Sequence, residues 1–241
     1  YQAVLDKLLV EAESGTPPQK GHVLGAITQL KQICNHPAAF TGDDQPLAGR
    51  SGKLARLDDI VDTVFAVGER IVIFTQYAQW AIRVAAHLAE RTGTPVAAYH
   101  GGLPRKQRDQ IIDDFQNGVG PAALVLSLKA GGVGLNLTAA NHVVLFDRWW
   151  NPAVEDQARD RAWRLGQERT VIFHRLECPG TIDERVEEVV AGKRHVADLV
   201  LPKSSSLDDL SPDQLRVALG LRESDLLTDD APDRETEEVP V

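Results

Sequence analysis

Residues 70 to 99 read RIVIFTQYAQWAIRVAAHLAERTGTPVAAY, and this stretch predicts a strand, a helix and a second strand. Its two ends are short apolar runs with little polar alternation, which is typical of strands covered on both faces. The residues between them, from Trp80 to Glu90, carry apolar side chains at helical spacing. A helix that joins two such strands is the usual crossover between parallel strands.

The same alternation continues along the chain. Apolar runs predict strands over residues 71–74, 96–99, 123–126, 143–146 and 171–176. Helical patterns lie between them over residues 80–90, 105–115 and 153–163. We infer an α/β fold built on a doubly wound parallel sheet with helices on both faces.

The flanking segments follow other patterns. Residues 1–33 predict a helical hairpin broken by a Ser-Gly-Thr-Pro-Pro turn at 14–18, residues 41–52 a loop, and residues 54–67 a helix. An amphipathic helix is predicted over 181–201, and the composition beyond Lys203 turns to Ser, Asp, Glu and Pro. The chain therefore divides into a helical segment (1–52), the α/β domain (53–202) and an acidic, largely flexible tail (203–241).

The composition limits the classes of protein to which the chain could belong. The chain has 241 residues, of which 43% are hydrophobic, enough for one α/β domain of ordinary size. Cys34 and Cys178 are too few for a disulfide framework and have no zinc spacing, so we expect reduced thiols and no metal site. No apolar run approaches the roughly 18 residues that span a bilayer, so we expect a cytoplasmic protein without membrane contact. The chain contains no methionine, and we expect it to be a fragment.

The net charge of −9 does not exclude a nucleic-acid ligand, because the charge is unevenly distributed. Residues 222–241 hold eight acidic and two basic side chains, so the tail alone contributes −6. The remainder of the chain is nearly balanced and leaves room for a local basic surface.

Ligands of open parallel sheets bind at the carboxyl ends of the strands, where this chain has polar loops. A dinucleotide fingerprint around Gly132 and Gly134 fails, because its third glycine would be Leu137. No GxxxxGK[ST] loop occurs either, so the chain cannot cradle a triphosphate in the usual way. Arg161 and Arg164 lie three apart and thus on one helix face, which suits a pair of arginines offered to a triphosphate held by another domain.

Four segments together resemble the second-lobe motifs of Swi/Snf-type ATPases of helicase superfamily two. They are FTQY at 74–77, GGVGLNL at 131–137, DRWWNP at 147–152 and QARDRAWRLGQ at 157–167. CNHP at 34–37 resembles the linker that precedes this lobe in the family. Trp149 and Trp163 depart from the residues usual at their positions. The resemblance covers roughly residues 1–200 and implies a RecA-like lobe, with residues 1–52 as a linker from an absent first lobe.

The resemblance also implies roles for single residues. Arg161 and Arg164 match arginine fingers, and the residues implied on the ATP side of the cleft are Gln157, Gly134 and Asn136. The implied contacts to the backbone of double-stranded DNA are Thr75, Gln76, Gly101, Ser127 and Lys129, with Trp150 coupling the cleft to the DNA. ATP and Mg²⁺ would be held mainly by the first, N-terminal RecA-like lobe, so the fragment alone is predicted to be inactive.

The function implied is that of a DNA-dependent ATPase that translocates on duplex DNA. A strand-separating helicase or RNA-dependent ATPase of the same superfamily is an alternative, although the Cys-Asn-His-Pro and Trp-Asn-Pro segments favour the remodeller type. A non-catalytic protein-binding scaffold is another, against which the arginine pair argues. Arginine outnumbers lysine 18 to 8, which suggests a bacterial source. RNA polymerase or another DNA-bound protein is then the candidate cargo, and the protein would be nucleoid-associated.

Overall fold

A parallel β-sheet forms the centre of the protein. The computed structural model describes residues 1–4, 20–127, 135–149, 152–163, 167, 169–184 and 186. The strands are β1 (Arg70–Thr75), β2 (Ala97–Tyr99), β3 (Ala122–Ser127), β4 (His142–Leu145) and β5 (Ile172–Arg175). They pair in the order β2-β3-β1-β4-β5, and every pairing is parallel. The five predicted strands are thereby confirmed.

Helices precede the sheet and connect its strands. In chain order they are α1 (Lys20–Asn35), α2 (Pro37–Thr41), α3 (Gly52–Ala66), α4 (Ala78–Thr92), α5 (Arg105–Asn117) and α6 (Pro152–Ala162). The four helices predicted between residues 54 and 163 are confirmed as α3 to α6. The short helix α2 was not predicted; it starts at Pro37 and ends before Gly42, whose φ of 70° is the left-handed conformation common at helix ends.

The core has two halves, one on each face of the sheet. Along β1, Ile71 and Ile73 pack with buried side chains of α3 and α4, whereas Val72 and Phe74 pack with those of α5 and α6. Side chains alternate between the faces of a strand, so a run of four buried apolar residues requires cover on both sides. The doubly wound arrangement is therefore confirmed.

The described residues test the other predictions only in part. The second arm of the helical hairpin is confirmed as α1, but the turn at 14–18 lies outside the described residues. Ile182–Glu184 and Val186 are helical, and the rest of the helix predicted over 181–201 lies outside the described residues, as does the acidic tail. None of the helices in the described part of the chain is long and apolar enough to cross a membrane.

Ser51 fixes the start of α3 and ties it to α1. Its side-chain oxygen accepts a hydrogen bond from Leu54 N (3.3 Å) and donates one to the carbonyl of Asn35 (2.9 Å). Loss of an N-cap hydroxyl costs about 1 kcal/mol, so Ser51→Ala should lower Tm by about 2–4 °C. Thr63→Ala, which removes an exposed hydroxyl bonded within its own helix, is the control. Equal melting temperatures for both variants, measured by calorimetry, would contradict this role.

Candidate functional site

The carboxyl edge of the sheet carries a groove of about 850 Å³. Thr75 and Ser127 end adjacent strands and lie opposite each other in the β1–β3 register. The groove is lined by Gln76, Gly101 and Ser127, together with Tyr77, Trp80 and Arg83. Three of the predicted DNA-contacting residues therefore share one surface, although they come from three different strand ends.

The exposure of these residues limits how each could contact a ligand. Gly101 is exposed, but Ser127 is only 2% exposed and Thr75 is fully buried. The Thr75 hydroxyl points inward and donates to Asp147 Oδ2 at 2.5 Å, while the Gln76 side chain donates to the carbonyl of Arg148 at 2.5 Å. Thr75 as a whole, backbone included, is buried in this conformation, so it offers no surface for the predicted contact to DNA.

Asp147, two residues after β4, is a fully buried charged group at this edge. Its carboxylate accepts hydrogen bonds from the Thr75 hydroxyl, from Gln76 N (3.0 and 3.1 Å) and from Asn35 Nδ2 (3.1 Å). Burial raises the pKa of Asp147, and the charge of Lys31 and the hydrogen bonds from Thr75 and Gln76 oppose that rise. One carboxylate thus connects β1 and β4 to the end of α1.

Lys31 brings a second contact from α1 to the same place. It is 2% exposed, and its ammonium donates to the carbonyl of Arg148 at 2.5 Å. Burial lowers the pKa of Lys31 to about 8, against the opposing attraction of Asp147. The fixed cation and the fixed carboxylate hold α1 against the loop that follows β4.

The side chain of Arg148 holds the same loop through ion pairs to two other segments. Its fully buried guanidinium pairs with Glu177 Oε1 at 2.6 Å and with Glu155 Oε1 at 3.3 Å. Glu155 lies in α6 and Glu177 follows β5, so this one side chain joins three segments. Glu155 also accepts from the backbone N–H of Trp149 at 3.4 Å. The beginning of the Asp-Arg-Trp-Trp-Asn-Pro segment is therefore held by ion pairs of the buried Arg148, one to the buried Glu155 and one to the partly exposed Glu177.

The Cys-Asn-His-Pro segment has a structural role at each polar position. Asn35 donates to Asp147, and His36 is fully buried, with Nδ1 accepting from Ala38 N (2.9 Å) and Nε2 donating to the carbonyl of Leu47 (3.0 Å). The His36 ring also stacks on Trp80 at 5.2 Å. Burial lowers the pKa of His36, which favours the neutral ring that this pair of bonds requires. The segment therefore fixes α1 and α2 to the sheet.

A second surface carries the residues predicted for the nucleotide. Gln157 is exposed and Arg161 half-buried; they lie four apart in α6 and so on one face. The backbone N–H of Leu137 donates to the carbonyl of Arg161 at 2.9 Å, which brings the exposed Asn136 next to this helix. Amide and guanidinium donors are a suitable set for phosphate oxygens. Arg164, Gly134, Lys129 and Trp150 lie outside the described residues.

Sequence reasoning missed the buried polar set around Asp147. The sequence did hold a signal for Lys31. This residue lies seven positions after Leu24 and four after Ile27, and therefore on the same helix face as these two apolar residues. A charged residue on an apolar stripe needs a buried partner. No local signal connects Asn35 or Glu177 to Asp147 and Arg148, because these contacts join segments far apart in the chain.

Comparisons with known proteins agree with the fold. The family described as the helicase conserved C-terminal domain matches residues 52–166. The chain is 34% identical to the SWI2/SNF2 ATPase C-terminal domain of Sulfolobus solfataricus, covering 91% of each chain at a TM-score of 0.71. It is 36% identical to the SWI2/SNF2 ATPase core of the same organism in complex with dsDNA, covering 91% of this chain and 46% of that one at a TM-score of 0.75.

A curated bacterial relative is also similar. The candidate ATP-dependent helicase/translocase YwqA of Bacillus subtilis is 43% identical over 199 residues, which are 82% of this chain and 22% of the relative. The chain spans about a fifth of the length of the curated relatives that it matches.

Because of Lys31, the free energy of unfolding should depend on pH. Its pKa is about 8 when folded against an ordinary 10.5, so between these pH values the unfolded chain binds more protons and stability rises with pH. Relative to Lys31→Met, the native chain should gain about 3 kcal/mol of unfolding free energy across this window. Urea unfolding of the native chain and of Lys31→Met, measured from pH 7 to pH 10.5, gives the free energy of unfolding of each as a function of pH.

Lys106→Met, at an exposed position, is the matched control, and its curve should run parallel to that of the native chain. A Lys31→Met curve that is also parallel would contradict the buried, strained ammonium described above.

Proposed function

The chain belongs to the SWI2/SNF2-type ATPases, as their helicase C-terminal domain, and we propose that it is the second motor lobe of an ATP-dependent translocase on double-stranded DNA. The observation that carries this proposal is the likeness to the Sulfolobus core in complex with dsDNA over 91% of this chain. The groove at the carboxyl edge supports it, because Gln76, Gly101 and Ser127 come together there from separate loops.

On the nucleotide side, Gln157 and Arg161 lie on one face of α6. Arg161 and Arg164 would stabilise the negative charge that develops on the transferred phosphoryl group, which is the part arginine fingers take in other phosphoryl-transfer enzymes. Gln157, Gly134 and Asn136 would position the nucleotide by hydrogen bonds. The chain has no phosphate-binding loop of the usual sequence, so ATP and Mg²⁺ would be held by a first lobe.

On the DNA side, the proposed contacts are to the backbone rather than to the bases. Gly101 offers an exposed amide without a side chain, and Gln76 and Ser127 offer short polar groups at the groove. Lys129 and Trp150 are proposed to complete this track, and Thr75 would support it from beneath through its hydrogen bond to Asp147. Backbone contacts suit a motor that moves along DNA without reading its sequence. RNA polymerase or another DNA-bound protein remains the predicted cargo.

The arginine pair gives the test of the ATPase proposal. In a parent protein that contains both lobes, Arg161→Ala and Arg164→Ala should each lower DNA-stimulated ATP hydrolysis by about 10³-fold, with a much smaller change in nucleotide affinity. A group that acts mainly in the transition state affects turnover more than binding. Turnover and nucleotide affinity are measured side by side, and the 241-residue chain alone should hydrolyse no ATP.

Arg159→Ala is the matched control. Arg159 lies in the same helix but is 48% exposed and pairs with Asp156 at 3.2 Å, so its loss should leave turnover nearly unchanged. Near-normal hydrolysis in the Arg161 and Arg164 variants would overturn the motor-lobe mechanism.

Lys129 gives the test of the DNA proposal. Lys129→Ala in the two-lobe protein should weaken affinity equally for unrelated DNA sequences and reduce the salt dependence of binding by about one charge. Arg91→Ala is the control, because Arg91 lies in the last turn of α4, at the opposite edge of the sheet. Fluorescence anisotropy across a salt series measures the DNA affinity of each variant and its salt dependence. Loss confined to one DNA sequence would mean base readout instead.

A further inference from the structure

Three side chains of types that can ligate a metal ion, from two distant parts of the chain, lie close together at the end of α1. Cys34 lies in the last turn of α1, Cys178 follows β5, and Asp183 lies at the beginning of the helical residues after it. The two sulfur atoms and a carboxylate oxygen all lie within 4.8 Å of one another. A hydrogen bond also links the two cysteines, because the Cys178 thiol donates to the backbone carbonyl of Cys34 at 3.3 Å.

The Asp183 carboxylate is satisfied on one oxygen only. The residue is fully buried, and its Oδ2 pairs with the ammonium of Lys53 at 2.5 Å and accepts from Cys178 N at 3.3 Å. Oδ1 is buried, and no donor in the described part of the chain reaches it. A buried carboxylate oxygen without a partner is costly, whereas a bound cation would satisfy it.

The size of the cluster fits a small divalent ion. Zinc binds sulfur at about 2.3 Å and carboxylate oxygen at about 2.0–2.2 Å, so ligands in a tetrahedral site lie roughly 3.5–3.8 Å apart. The three atoms lie within 4.8 Å of one another, a limit that includes this spacing. Three protein ligands leave a fourth position for water, and Cys178 is half-buried, which provides access from solvent.

The charge of the cluster also balances with a divalent ion present. Two thiolates and the Asp183 carboxylate carry three negative charges, and a divalent ion and the Lys53 ammonium carry three positive charges. Lys53 is 5% exposed and lies over the Phe146 ring at 5.9 Å, so its position is fixed. It orients the carboxylate through Oδ2, as outer groups orient metal ligands, and no donor in the described part of the chain occupies Oδ1.

We propose that Cys34, Cys178 and Asp183 form a binding site for a thiophilic divalent cation of the Zn²⁺ type. The ion would fasten the end of α1 to the segment that follows β5, and so join the linker to the lobe at a point separate from the Asp147 contacts. Thiolate ligands select Zn²⁺ over Mg²⁺, which prefers oxygen, so the site is distinct from any Mg²⁺ that accompanies ATP. This inference does not depend on the proposed translocase activity.

Titration of the full 241-residue chain with Co²⁺ and then Zn²⁺ tests the site, under anaerobic conditions with a non-thiol reductant. One Co²⁺ per chain should bind and give thiolate-to-cobalt charge-transfer absorption, which Zn²⁺ should abolish by displacement. A free Zn²⁺ concentration of about a hundred times Kd should raise Tm by about 5 °C or more, and a chelator should reverse the shift.

Substitutions identify the ligands. Cys178→Ser and Asp183→Asn should each weaken Co²⁺ binding by at least about a hundredfold, because loss of a ligand exceeds the 10–100-fold effect of losing an outer partner. Asp62→Asn, an exposed carboxylate variant in α3, is the control and should bind as the native chain does. Cys178 is half-buried and its serine variant keeps the shape of the side chain, so the test stands even if Asp183→Asn does not fold.

Three results would overturn the proposal. The first is the absence of any binding above that of Cys178→Ser. The second is undiminished binding by a folded Asp183→Asn variant, which would remove the carboxylate from the site. The third is a Cys34–Cys178 disulfide, formed with an added low-molecular-weight disulfide as oxidant, in a chain that binds no metal when reduced; the pair would then be a redox dithiol.

Discussion

The buried carboxylate of Asp147 is the contact on which the arrangement of the carboxyl edge depends. It lies where β4 ends, beside the end of β1, and takes hydrogen bonds from the Thr75 hydroxyl, the backbone of Gln76 and the amide of Asn35. An ionised group in such a place is tolerated only if its oxygens are satisfied, so each donor is required in its position. The Lys31 ammonium adds the compensating charge. The loops after two strands and the end of α1 therefore form one rigid unit.

This unit connects the two surfaces for which functions are proposed. Gln76 lies in the groove and also donates to the carbonyl of Arg148, whose guanidinium pairs with Glu155 in α6. Arg161 lies further along the same helix. A chain of contacts thus leads from the proposed DNA groove to the proposed nucleotide face through buried charged groups.

The segment before the sheet belongs to the same network. Lys31 and Asn35 contact the loop after β4, and Ser51 binds the carbonyl of Asn35 while it caps α3. His36 adds a stacked contact with Trp80. A segment joined to the sheet by buried polar bonds would move with it, because separating them would leave Asp147 without one of its donors. The proposed metal site at Cys34 would add a second attachment of the same segment.

The sequence by itself determined the alternation of strands and helices, because burial on both faces leaves unbroken apolar runs and a covered helix leaves an apolar stripe. It also predicted the edge of the sheet that carries the polar loops, and it predicted that Arg161 lies on a helix, as it does in α6. Only the tertiary structure decided that Thr75 turns inward, since its partner Asp147 is brought beside it by the β1–β4 pairing. The same holds for Lys31, Asn35 and the Cys34–Cys178–Asp183 cluster. These contacts join segments 72 to 144 positions apart, and the order of strands in a sheet, which sets such contacts, leaves no periodic trace in the local sequence.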